Sequence, residues 1–132
     1  MKKDIENLED IKLLVDSFYN KVKVDDLIAV FFNDIARVNW DLHLPKMYAF
    51  WDTILFGSMT YKGAPLAHHI PINSLMSMER HHFDRWVELW TETVYELFEG
   101  KIADSAIYKA NNIANVMGYK LEMATRMENG IY

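Results

Sequence analysis

The stretch Tyr61-Lys62-Gly63-Ala64-Pro65-Leu66-Ala67-His68-His69-Ile70-Pro71 separates two long apolar-periodic segments. Gly63 and Pro65 punctuate its entry. Pro71 ends whatever single turn residues 64–69 form, because a proline lacks the amide proton that would carry a helix onward. The stretch therefore reads as a short, fixed turn between helices. Successive residues on a helical turn point about 100° apart, so His68 and His69 face different ways and at most one aims at the core. One of the two is a candidate ligand.

Upstream of this turn, residues 40–56 read as a helix, with Asn39 as its cap and Gly57 as its stop. Its inward face is expected to carry Leu44, Met47, Phe50 or Trp51, Ile54 and Leu55. Pro45 lies inside, so either the first turn is irregular or the regular helix begins only about Leu42. His43 shares a face with Met47 and Phe50, four and seven residues on. A lone histidine near a helix start is more often a surface or capping residue than a ligand. Earlier in the chain, Leu8, Ile11, Val15, Phe18 and Val22 form one helical face that ends near Asp25-Asp26. Tyr19 flanks this stripe, where an edge tyrosine usually sends its hydroxyl to solvent and needs a partner if buried. Asp25 or Asp26 is placed to cap a shorter helix through Leu27, Ile28, Val30, Phe31, Phe32 and Ile35, apolar almost all round, with Phe31-Phe32 read as core.

Downstream, residues 72–76 connect to a long helix that Ser77 can cap and that runs to about residue 99, just before Gly100. Phe83, Trp86, Trp90, Val94 and Leu97 form its stripe, and the Trp86 indole needs an acceptor if buried. A last helix over about 102–127 carries Ile102, Ala106, Ala110, Ile113, Met117, Leu121 and Ala124. Gly118 sits inside it at a cost of ~1 kcal/mol relative to alanine, unless close packing requires it. No strand pattern, repeat or low-complexity linker interrupts the series. The expectation is an all-α chain with one domain over 1–132, built from four main helices.

At 132 residues the chain is long enough for a core that stands without disulfides or a structural metal. It has no cysteine, which excludes disulfides, thiolate metal sites and covalent C-x-x-C-H haem attachment. Fourteen basic residues against 19 acidic give a net charge of −5 with no basic run, which argues against a nucleic-acid or anionic-membrane partner. No apolar run approaches the ~20 residues that span a bilayer, and Met1-Lys2-Lys3 leads into acidic residues rather than a signal sequence. No membrane association and a cytoplasmic location are expected. Eight methionines and 14 % aromatics suit either a rich core or an apolar cofactor site.

No G-x-G-x-x-G, P-loop or H-E-x-x-H motif is present. Glu79-x-x-His82 is a single E-x-x-H, whereas a di-iron bundle site needs two such motifs and further carboxylates. Four blocks carry more weight: Phe18-Tyr19, His43-Leu44-Pro45-Lys46-Met47 with Phe50-Trp51, Pro65-Leu66-x-x-His69, and His82-Phe83-Asp84-Arg85-Trp86. In this order and at roughly these spacings they resemble the truncated haemoglobins, specifically the group III branch of the two-over-two globins. The likeness covers about residues 8–125. The connection from His69 to Trp86 is a few residues longer than is usual in that family. His81, doubled with His82, reads as exposed helix surface.

The resemblance implies a globin-like two-over-two helical sandwich around non-covalent haem b, with His69 as the proximal iron ligand. Tyr19, His43 and Trp86 would then fall on the distal side, Phe32 and Met47 would be pocket wall, and Lys46, or Lys62, would reach a haem propionate. A five-coordinate haem iron needs one neutral imidazole and an open opposite face, and the polarity of that face decides between gas binding and activation. Two classes follow. One is a protein that binds dioxygen, nitric oxide or another small diatomic for transport or sensing. The other is a redox enzyme, either a nitric-oxide dioxygenase or a peroxidase-like protein. The enzyme would require a separate reductase, because the chain has no flavin or nicotinamide motif.

Overall fold

A computed structural model describes residues 2–35, 39–58 and 79–128, apart from the side chains of 34, 35, 122 and 124–128. The 61–71 turn, with Lys62, His68 and His69, and the expected cap Ser77 lie outside the described residues. Four α-helices and one π-helical turn make up the described chain, which contains no strand: α1 (Leu8–Val22), the π turn (Phe31–Ile35), α2 (Trp40–Phe56), α3 (Arg80–Leu97) and α4 (Lys101–Glu128). No helix among the described residues is long and apolar enough to cross a membrane.

Helix α1 starts where the Asn7 side chain accepts the Asp10 amide at 3.0 Å, with Glu9 and Asp10 in the first turn, where negative charge suits the helix dipole. It stops at Val22, earlier than the Asp25-Asp26 pair that the apolar pattern suggests. Asp25 does act as a cap, its Oδ2 accepting the amides of Leu27 and Ile28 at 3.1 and 3.2 Å. The expected short helix is present only over 29–35, after a turn at 26–28, and is π-helical from Phe31, with Ile28 and Phe31 buried, Phe32 half-buried and Leu27 exposed. An apolar run marks burial without fixing the hydrogen-bond step, which explains the difference.

Helix α2 runs from Trp40 to Phe56. Asn39 accepts the Asp41 amide at 3.1 Å, Gly57 closes the helix in the left-handed conformation at φ 70°, and Pro45 is accommodated inside. Helix α3 is capped by Glu79, whose amide donates to His82 Nδ1 at 2.9 Å. The E-x-x-H pair is thus a helix-start device, in which the histidine returns a bond to the cap backbone as a Glu or Gln does in a capping box.

Two helix pairs stack. Helix α1 packs on α2 and α3 on α4, and contacts of α1 with α3 and of α2 with α4 join the pairs. At their centre Trp51 of α2 and Trp90 of α3 stack at 4.2 Å, and Phe18 of α1 meets Trp90 edge-on at 5.0 Å. The Trp90 indole donates to the Ala106 carbonyl at 3.2 Å, which satisfies a donor that would otherwise be costly to bury. Ala103, Ala106 and Ala110 keep that side of α4 thin enough for the two tryptophans. Large apolar side chains contribute about 1.5–3 kcal/mol each on burial, so this contact ties α1 and α2 to α3.

Candidate functional site

Next to Phe18 on α1, Tyr19 points to the other side of the core. It is buried at 4 % exposure, so the expectation of an edge hydroxyl in solvent does not hold. Phe32 reaches it from the π turn, and Trp40 and His43 reach it from the first turn of α2, where a spacing of three puts both rings on one face. Each of these four rings touches the other three. Tyr19 lies 5.2 Å from His43, 5.5 Å from Trp40 and 5.9 Å from Phe32. Trp40 lies 5.6 Å from His43 and 5.9 Å from Phe32, and the remaining pair, Phe32 and His43, are 6.3 Å apart. Most contacts are edge-on or tilted, the arrangement that ring quadrupoles favour.

Burial raises the Tyr19 pKa above its ordinary 10.0, so the phenol stays protonated and is a hydrogen-bond donor at every working pH. Met47, one turn beyond His43, is half-buried and packs on the core, while Lys46 is exposed. Trp86 on α3 is half-buried and connects through Phe18, which meets Trp86 at 5.8 Å and Tyr19 at 4.8 Å. The structure therefore gathers Tyr19, Phe32 and His43 directly, and brings Trp86 against the same core from α3. His69 cannot be related to them, since it lies outside the described residues.

His81 is exposed, 3.5 Å from Glu79, whereas His82 is buried and meets Phe31 edge-on at 4.8 Å. Burial, reinforced by His81 and opposed by Glu79, lowers the His82 pKa from 6.5, which keeps its ring neutral and able to accept the Glu79 amide. Beside it, the Arg85 guanidinium pairs with the largely buried Asp25 carboxylate at 2.9 Å and so ties α3 to the turn that leads to Phe31 and Phe32. A separate cleft of about 450 Å³ near Lys21, Asp25, Arg85 and Glu92 shares no residue with the four-ring cluster. Lys21, Asp25, Arg85 and Glu92 already pair with one another or with Glu88 and Glu96.

Trp40 was not among the residues singled out from sequence. The signal was present in its spacing of three from His43, at a helix start where a tryptophan adds little to helix formation.

No family model matches the chain. A group 3 truncated haemoglobin of Campylobacter jejuni is 30 % identical over 118 residues, covering 87 % of this chain and 91 % of that protein. The chain belongs to the truncated haemoglobins. A group 1 truncated haemoglobin of Chlamydomonas moewusii is also 30 % identical, over 113 residues that span 83 % of this chain and 63 % of that protein. The crystal structure of group III truncated haemoglobin from Campylobacter jejuni superposes with a TM-score of 0.79 at 28 % identity, covering 92 % of this chain and 95 % of that one. The two Campylobacter jejuni likenesses place this truncated haemoglobin in group III, and the structural one supports the all-α globin fold.

Proposed function

We propose that this truncated haemoglobin holds non-covalent haem b through His69 and binds dioxygen, nitric oxide or another small diatomic at a five-coordinate iron. The observation that supports the reading most is the four-ring cluster, because it joins a buried phenol and an imidazole to apolar ring walls at the meeting point of α1 and α2. The residues present fit the group: Phe32 and Met47 offer apolar contact, Tyr19, His43 and Trp86 offer donors, and exposed Lys46 offers a cation for a propionate. When bound, haem supplies an iron with one position open to a diatomic. Tyr19 donates its hydroxyl proton toward a ligand that carries partial negative charge. His43 and Trp86 supply further donors, and the surrounding rings exclude water. The names of the relatives, all haemoglobins, support the same assignment.

The deciding experiment is an absorption spectrum of the purified protein with and without His69→Ala. Haem uptake by the parent protein and loss of most of it from the variant are expected. Full retention with an unchanged ferrous spectrum would move the ligand to His68 or elsewhere. Reversible dioxygen binding supports a carrier or sensor, while sustained consumption of nitric oxide in the presence of a separate reductase would reassign the protein as a redox enzyme.

A further inference from the structure

Lys23 occupies the C-cap of α1, and three of its groups are committed to three different parts of the site. Its amide donates to the Tyr19 carbonyl at 2.9 Å, its carbonyl accepts the Asn33 side-chain amide at 3.0 Å, and its ammonium lies 4.6 Å from the centroid of the Trp40 ring. The first bond holds the helical turn that carries Tyr19, the second holds the π turn that carries Phe32, and the third presses on the first residue of α2. Trp40 in turn contacts Tyr19, Phe32 and His43. A cation over an indole is among the stronger contacts of its kind, and it strengthens when partly shielded from water, as here where both side chains are half-buried.

We infer that Trp40, held by the Lys23 ammonium, is the positioning residue of the distal side: it sets the orientation of Tyr19 and His43, and Lys23 acts as the latch that keeps it there. Trp40 reaches the reacting groups only through its neighbours, so its influence is on where their donors point. Without the indole, the four-ring cluster loses three of its six contacts, and the phenol and the imidazole gain room to rotate. Without the cation, the indole remains but is no longer restrained from the outside. The inference rests on the preceding reading that Tyr19 and His43 face a haem-bound ligand.

The test uses Trp40→Leu, Trp40→Phe, Lys23→Gln and Lys23→Arg. In haem-loaded protein, Trp40→Leu should change the dioxygen dissociation rate roughly tenfold and Lys23→Gln roughly threefold, the latter being the rate equivalent of one cation–ring contact. Trp40→Phe and Lys23→Arg, which keep a ring and a cation, should restore most of the parent rate. The carbon monoxide stretching band, which reports the electric field around the ligand, should broaden in Trp40→Leu and Lys23→Gln and not in the two conservative variants. A purely structural role would lower stability without this rescue pattern. In haem-free protein the unfolding midpoints of Lys23→Gln, Trp40→Leu and the double variant should be non-additive, a readout that needs no haem. Lys23→Gln changes a partly exposed side chain, so it serves even if Trp40→Leu fails to fold. Unchanged rates and an unchanged band in haem-loaded Lys23→Gln and Trp40→Leu overturn the inference alone, and additive midpoints overturn the latch. Failure of the parent protein to take up haem refutes the reading on which the positioning role rests.

Discussion

Replacing Asp4 by alanine removes the acceptor that closes the amino end of α4, nearly one hundred residues away in sequence. Both oxygens are in use: Oδ2 accepts the Ile102 amide at 2.9 Å, and Oδ1 accepts those of Ala103 and Ile5 at 2.8 Å each. Loss of a helix cap costs about 1 kcal/mol and up to ~2, and the charge at the positive end of the helix adds ~0.3–1 kcal/mol. For Asp4→Ala we expect about 2 kcal/mol in total, or roughly 6–8 °C in Tm for a domain of this size. Asp4→Asn keeps an acceptor and should lose about half as much. Gly100 provides an independent check. Its φ is +139°, and a Cβ built there would lie 2.5 Å from the Asp4 Cγ and 2.6 Å from Oδ2. Gly100→Ala therefore has to evict the same carboxylate, so its effect and that of Asp4→Ala should overlap rather than add. Urea denaturation followed by circular dichroism, on the two single variants and the double, measures this. The pH dependence has a definite sign. Burial works against the Asp4 charge, but the amides of Ile102, Ala103 and Ile5 outweigh it and hold the pKa below the ordinary 3.8. The stabilisation is full above that value and is lost as pH falls through the lower folded pKa, so the advantage over Asp4→Ala should shrink in acid. The reasoning fails if Asp4→Ala lies within about 0.3 kcal/mol of the parent at neutral pH, or if the two substitutions add within that ordinary scatter.

Gly118→Ala should stabilise the protein by about 0.5–1 kcal/mol, because the added Cβ would sit at ordinary contact distance, 3.6 and 3.8 Å, from the Phe83 ring while the chain gains helix propensity; a lowered urea midpoint would show that the Phe83 contact needs the glycine. His82 resists protonation when folded, so stability should be full above pH 6.5 and decline as pH falls below it, and His82→Gln should flatten that decline in a denaturation series taken across the range. Tyr19→Phe and Trp86→Phe should each speed dioxygen dissociation by roughly three- to thirtyfold, the loss of one hydrogen bond on the order of 1 kcal/mol or somewhat more, with carbon monoxide responding far less. Stopped-flow rates unchanged in both variants would reduce the two residues to pocket wall.

Much of the fold was legible because its signals are local. Helix α2 begins and ends where Asn39 and Gly57 require, and the stripes on α1, α3 and α4 predicted the buried faces around Phe18, Trp90 and Ala106. What sequence alone could not give depends on distant partners. No Ser, Thr, Asp or Asn stands at Gly100, and that missing local cap is the hint that something remote had to supply one; nothing in the pattern says that it is Asp4. The start of α3 was hidden for a different reason: its cap is local, but Glu79 and His82 form it from residue types that capping preferences rank low. At the site, the alternation of Phe18 and Tyr19 was readable, but the burial of the Tyr19 hydroxyl depends on Phe32, Trp40 and His43 arriving from two other elements.

The fastening of the helices and the chemistry of the site are separated along the molecule. At one end, the Lys3 carbonyl accepts the Glu99 amide at 3.0 Å, Asp4 caps α4 and Ile5 is buried in the core, so the amino-terminal segment holds the junction of α3 and α4 closed. At the other, Lys23 gathers the end of α1, the π turn and the start of α2 around the four rings. Helix α1 joins the two ends, and its adjacent residues divide the work: Phe18 packs on Trp90, while Tyr19, about 100° further round, faces His43. Rotating or sliding α1 to retune the site would therefore open the Phe18–Trp90 contact, in which both rings are fully buried. Adjustment to a ligand has to come instead from side chains that are only half-buried, and in the cluster these are Phe32, Trp40 and His43. All three lie in the corner that Lys23 touches from outside, through the end of α1, the π turn and the Trp40 ring, so on our inference the Lys23 contact bears on the half-buried part of this cluster.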